Sequence, residues 1–296
     1  TPLISIQPHV LGKADYFMPT LSFKDRGAVM LTAAMHAFGI PRCVIDSSGN
    51  AATAVAAYCS RVGIDCDVFV PSHTSEKKIE QIRAHGASVH PVRGTREDTA
   101  EAAISAVQQS GSYYASHIYN PLFWEGTKTY IYELFEQCAY HLPQVIITPV
   151  GNGTLLMGIS IALQELKSWG YITEYPVVVA IQAANCAPLA TAFAQKLDQI
   201  APIVPSPTLA EGIASAKPAR GAEILAAMRE LGGSFVTVPE DAILQARDTL
   251  ARRGLYVELT SAANYAGYVL ALDARLFDHD ATVVLPLCGA GLKSAH

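Results

Sequence analysis

The apolar positions of this chain fall into short strand-like runs that alternate with stretches of helical period. RCVID at 42–46 predicts a strand and the Ala-rich segment 50–62 a helix. DCDVFV at 65–70 predicts a second strand, followed by a helix at 75–85, a strand at 87–92, a helix at 95–110 and a short strand at 112–115. The rhythm resumes with QVIITPV (144–150) as a strand and 154–169 as a helix. PVVVAIQA (176–183) is a strand, 219–231 a helix, SFVTVP (234–239) a strand and 240–253 a helix. A further helix covers 261–274, and TVVLPL (282–287) is the last strand. Strand and helix in regular alternation imply an α/β fold, with a parallel sheet covered by helices on both faces. The stretch from Ile200 to Pro218, rich in Pro, Ala and Ser, reads as a long functional loop.

Composition narrows the classes. The chain has 296 residues, 50% of them hydrophobic, enough for a large core and for one large or two modest domains. A formal net charge of −5 gives no electrostatic case for nucleic acid or an anionic membrane surface. Apolar residues are spread along the chain, and no uninterrupted run is long enough for a transmembrane helix. TPLISIQPHV has no basic segment ahead of an apolar block, so no signal peptide is expected at this start. Cys43, Cys59, Cys66, Cys138, Cys186 and Cys288 form no CxxC pair, which reads as free thiols in a reducing cytoplasm. The histidines show no metal-ligand spacing, so no metal site is expected.

Three segments carry candidate chemistry. PTLSFKDRGA (19–28) places Lys24 among small and polar residues just ahead of the helix-period stretch GAVMLTAAMHAF. An amine so placed can hold an aldehyde as a Schiff base, although a lone lysine is ordinarily a solvated charge. Ser47, Ser48, Gly49 and Asn50 follow a predicted strand and open a helix. Backbone amides and short hydroxyls at such a place suit a carboxylate, and they equally suit a plain N-cap. Gly151, Asn152, Gly153, Thr154 and Leu155 make a second strand-to-helix join. There glycines let the backbone approach a phosphate and the helix dipole favours its charge. The same loop could open a dinucleotide-binding unit, but no acidic residue lies where the ribose ligand is expected in VVVAIQAAN.

In order and spacing these segments resemble the pyridoxal 5'-phosphate (PLP) enzymes of fold type II, and the SFKDRG run resembles their threonine synthase-like branch. NPLFWEGTKT (120–129), AEGIASAKP (210–218), VELTSAANYAG (257–267) and CGAGLK (288–293) extend the resemblance over nearly the whole chain. It implies two doubly wound, three-layer αβα domains. Residues 40–125 would form the smaller domain, and 1–39 with 126–296 the larger. It implies PLP as cofactor, with Lys24 as Schiff base and proton shuttle and Asn50 on the 3′-oxygen. Ser47, Ser48, Gly49 and Asn50 would grip the substrate carboxylate, and Gly151 to Leu155 the cofactor phosphate. Cys288 would face the ring nitrogen, where the family has Thr or Ser. A partner that is not a carboxylate need not keep that nitrogen protonated, which favours elimination and replacement over transamination.

The implied activity is a lyase or synthase acting on a small amino acid, in a cytoplasmic homodimer. The alternative is a protein of this fold without turnover, acting as a binding or regulatory subunit. Two further positions, which bear on the substrate, depart from the family pattern. Threonine synthases offer a Ser and an Arg around the NP dipeptide for the phosphate of O-phosphohomoserine, and Ile118 and Phe123 stand there in this chain. A pocket for a smaller or less charged side chain is the expectation that follows.

Overall fold

The computed structural model of the chain describes residues 1–200 and 203–293. The chain forms two units, Ser22–Gly126 and a larger one made of Thr1–Leu21 with Thr127–His296. Each is an α/β unit, as the alternation of apolar patterns predicts.

In the smaller unit, α1 (Lys24–Ala37) is followed by β3 (Arg42–Asp46), α2 (Asn50–Val62), β4 (Asp65–Pro71), α3 (Glu76–Ala84), β5 (Ser88–Val92), α4 (Arg96–Ser110), β6 (Tyr113–Tyr114) and α5 (Pro121–Thr127). The sheet is wholly parallel, in the order β5-β4-β3-β6. Its winding reverses between β3 and β6, because β4 and β5 are added on one side of β3 and β6 on the other. Ile45, Val68 and Val70 of the sheet pack with Ala51, Ala54 and Val55 of α2 and with Ala28, Leu31 and Met35 of α1. That buried stripe on α1 groups it with the smaller unit, whereas the resemblance counts residues 1–39 with the larger domain. Local chemistry sets the helix ends. Gly63, at φ +74°, stops α2 in the left-handed region that L residues avoid. Thr95 and Asp98 form a reciprocal capping box at the start of α4.

The larger unit has β1 (Leu3–Gln7), β2 (Val10–Lys13), α6 (Thr129–Gln137), β7 (Val145–Pro149), α7 (Thr154–Ser168), β8 (Val177–Ala183), α8 (Pro188–Ala194), α9 (Gly221–Glu230), β9 (Ser234–Val238), α10 (Glu240–Arg252), α11 (Leu259–Asp273) and β10 (Val283–Pro286). Its six-stranded sheet runs β1-β2-β10-β7-β8-β9, parallel except for the β1–β2 pair. The winding reverses between β7 and β10. β7 is buried at every position, as a central parallel strand must be. Val145, Ile147, Val179, Ile181, Val283 and Leu285 pack with the small residues Ala262, Ala263 and Ala266 of α11. The β1–β2 pair, α5, α6 and α8 have no counterpart in the sequence reading. LISIQPHVLGK turns through Pro8 and a left-handed His9 rather than an Asn-Gly type hairpin signal. The aromatic residues of PLFWEGTKTYIYELF blur helical period. Of the expected loop at 200–218, Ala201 and Pro202 lie outside the described residues, and 203–218 carries only a single helical turn at Glu211–Ile213.

Gly158 of α7 lies hard against the start of α6. A Cβ there would collide with Thr127 Oγ1 and come within 2.7 Å of Lys128 N. Gly158→Ala is expected to destabilise the protein by about 1–3 kcal/mol through overpacking, read as a lowered urea midpoint. An unchanged midpoint would show that the contact yields without cost.

Candidate active site

In an open parallel sheet, ligands collect outside the carboxyl ends of the strands where the winding reverses. In the smaller unit that place is the end of β3 and β6. Ser47 to Asn50 leave β3 there, and Ser116, His117 and Ile118 leave β6. Asn50 is the first residue of α2 and Gly49 its N-cap, with extended backbone and no side-chain cap. Ser47 is buried and its Oγ accepts from Gly49 N at 3.3 Å, while the position of a Cβ on Gly49 faces open space. The loop therefore offers backbone amides, hydroxyls and room for a small anion. Asp46 and Tyr114 close its base, with Tyr114 Oη donating to Asp46 Oδ1 at 2.6 Å. Burial raises the Asp46 carboxyl despite that bond, and burial raises the Tyr114 phenol further.

Lys24 opens α1 and is half-buried, with its Nζ 4.5 Å from the centre of the Phe23 ring and 5.9 Å from that of Phe123. Two neighbouring polar groups lack a protein partner. Ser22 Oγ, two residues before the lysine, is buried without one, and so is Nδ1 of His117. Burial holds the His117 imidazole well below its ordinary range, and the charges of Lys24 and Arg96 push the same way. His117 is therefore a neutral, buried imidazole with a nitrogen to spare. Ile118 and Phe123 are buried, and the Phe123 ring lies where a side chain at Gly27 would have to go. Neither offers a donor to an anion.

In the larger unit the winding reverses between β7 and β10, and the glycine loop and Cys288 follow those two strands. Gly153, at φ +76°, is the N-cap of α7, and a Cβ on it would strike Ile224. Gly151 lies against the 210–215 turn, where a Cβ would be 2.9 Å from Ile213 Cα and 3.1 Å from Gly212 O. Only glycine allows this narrow cradle, and the first turn of α7 directs amides into it. Asn152 Oδ1 accepts from Ser215 Oγ at 2.9 Å, and Gln182 Nε2 donates to Val150 O at 3.2 Å. Thr154 and Leu155 are buried, and Thr127 Oγ1 donates to Thr154 O at 2.9 Å. Cys288 is wholly buried. Its amide donates to Ser261 Oγ at 2.7 Å, its thiol lies 3.9 Å from Pro286 O, and Asn264 Nδ2 lies 4.0 Å from the sulfur.

Every residue expected at the site is thus on a strand-to-helix turn or at a helix start. Lys24, Ser47, Ser48, Gly49 and Asn50 are in the smaller unit, and Gly151 to Leu155 and Cys288 in the larger. Asp46, Tyr114, Gln182, Ser261 and Asn264 support them and went unread in the sequence, because each acts through a partner distant along the chain. The donor set fits PLP: an amine at a helix start, a cradle that a Cβ would fill, and a buried thiol in place of a carboxylate.

Comparison with known proteins agrees with that fit. The sequence model of the family "Pyridoxal-phosphate dependent enzyme" matches residues 1–289. A threonine synthase of Methanocaldococcus jannaschii is 31% identical over 93% of this chain and 68% of its own length. One of Methanosarcina acetivorans is 32% identical over 95% of this chain and 70% of its own length. Among solved structures, a threonine deaminase from T.th. superposes with a TM-score of 0.81 at 28% identity, covering 95% of this chain and 87% of that one. Maize serine racemase superposes with a TM-score of 0.84 at 20% identity, covering 98% and 88%, which speaks for the fold. Among the described residues, no helix is long and apolar enough to cross a membrane. The chain belongs to the family of pyridoxal-phosphate dependent enzymes and has their type II fold.

Proposed function

We propose that this chain catalyses elimination or replacement on a small amino acid whose side chain carries no phosphate, serine and threonine being the simplest cases. The observation that carries this reading is the burial of Ile118 and Phe123, the latter with no exposed surface. They stand where a threonine synthase-like site would need donors for a phosphate. Replacing a charged donor by an apolar side chain forfeits charge-assisted bonds worth about 1.5–3 kcal/mol each. The relatives that bear the name threonine synthase favour a second reading, γ-replacement on O-phosphohomoserine.

In either case PLP, once bound, supplies the electron sink that makes the Cα–H of the substrate acidic. Lys24 would hold its aldehyde carbon, and the Nζ amine would take or return the proton at Cα. The ring centres of Phe23 and Phe123 lie 4.5 and 5.9 Å from that amine. Asn50 would bond the 3′-oxygen, and Ser47, Ser48 and Gly49 would orient the substrate carboxylate through hydroxyls and amides at the start of α2. Gly151, Asn152, Gly153, Thr154 and Leu155 hold the phosphate at the start of α7. Cys288 would face the ring nitrogen with a thiol. The cytoplasmic homodimer implied by the resemblance goes with this reading, and light scattering of the purified protein reads the dimer.

The test is a spectral and product assay of the purified holoprotein with serine, threonine and O-phosphohomoserine. Serine or threonine should shift the visible band and release a keto acid. A response to O-phosphohomoserine alone, with threonine formed, would establish the second reading, and no response to any amino acid would point to a binding protein without turnover. Lys24→Ala should lower kcat by more than about a thousandfold and remove the covalent cofactor absorbance, since it deletes both nucleophile and proton carrier. Retention of both would sink the assignment. Acidification gives an independent check on His117. Below its ordinary pKa of 6.5 the unfolded chain binds a proton that the buried imidazole resists. Stability should therefore fall as pH drops from 6.5 toward 5, by up to about 1.4 kcal/mol per pH unit. His117→Gln should remove that part of the slope in urea titrations, and an unaltered slope would mean the imidazole is free to protonate.

A further inference from the structure

Cys43, Cys59 and Cys66 are separated by 16 and 7 residues, a spacing that matches no metal motif. The fold nevertheless gathers them. Cys43 and Cys66 are direct cross-strand partners on β3 and β4, and Cys59 comes down onto them from α2. Their three sulfur atoms all lie within 4.8 Å of one another, and Cys43 Sγ and Cys59 Sγ are 3.6 Å apart. All three are buried, Cys43 and Cys59 completely.

We propose that these three sulfurs form a binding site for a single soft d10 metal ion, Cu(I) in three-coordinate geometry. Three sulfurs bound at about 2.3 Å around one ion stand about 4.0 Å apart in a trigonal plane. The observed spacing, 3.6 Å for one pair and no more than 4.8 Å for the others, is compatible with that value. Among the described residues no histidine, carboxylate or further cysteine joins the three. A structural Zn(II) site would want a fourth ligand, whereas three thiolates and no oxygen or nitrogen select Cu(I). Binding requires only that thiol protons leave to solvent as metal–sulfur bonds form, with no change of oxidation state. The neighbours are the apolar side chains of the smaller unit's core, Ile45, Val55 and Val68 among them, which shield a thiolate-bound ion from water and oxidation. The site is separate from the residues assigned to PLP.

The experiment is an anaerobic titration of the full-length holoprotein with Cu(I) in competition with a chromophoric Cu(I) chelator, followed by X-ray absorption at the copper edge. One equivalent should bind, with three sulfur neighbours at about 2.3 Å. Cys59→Ala and Cys66→Ala should each weaken binding by more than about a hundredfold, beyond the loss expected for an outer-sphere partner. Cys186→Ala, at a buried cysteine outside the cluster, should leave it unchanged, and the visible cofactor band reports that each variant is folded. Copper left with the chelator, a shell of fewer than three sulfurs, or undiminished binding in a folded Cys59→Ala protein would overturn the proposal. The wild-type absorption spectrum decides it even where a variant does not fold.

Discussion

Parallel strands all deliver their carboxyl ends to one edge of the sheet, and each is followed there by the amino end of a helix whose first amides have no partner within the helix. That constraint organises both units of this chain. Where the winding reverses, the connections leaving two adjacent strands diverge and open a crevice. The Ser47–Asn50 loop and the His117 segment leave such a pair, β3 and β6. The glycine loop and Cys288 leave the corresponding pair, β7 and β10, in the other unit. Lys24 is placed differently, at the start of a helix that follows a turn rather than a strand of its own sheet.

The glycine loop shows how packing enforces this geometry. Gly151 is pressed against the backbone of the 210–215 turn, and Gly212 in that turn is pressed against Thr260. Three segments distant in sequence thus share one narrow space, and none can accept a larger residue without displacing another. Asn152, held by Ser215, and Val150, held by Gln182, fix the loop from either side. An anion cradle needs this rigidity, since amides that move must be reordered at each binding event.

Elements with strong local signals were legible in the sequence. The Ala-rich α2, the apolar β7 and β8 and the capped α4 carry their period, length and end signals within the element itself. The β1–β2 pair was not legible, because its register depends on β10, some 270 residues away. Helices α5 and α6 hide behind aromatic side chains that local propensity assigns to strands. The placement of Lys24 and the two loops at helix starts was legible because helix-start signals are local. The gathering of Cys43, Cys59 and Cys66 was not, because only the pairing of β3 with β4 and the descent of α2 bring those sulfurs together. Phe123 illustrates the limit from the other side: its place in the chain suggested a site position, and its contact with Gly27 makes it a core residue as well.

We propose that one lysine of the chain, Lys24, carries the cofactor. Borohydride reduction of the holoprotein, followed by peptide mass spectrometry, tests it most directly. A pyridoxyl mass increment is expected on the peptide spanning LSFKDR, at Lys24. An increment on any other lysine, or on none in a protein that retains its visible absorbance, would contradict it.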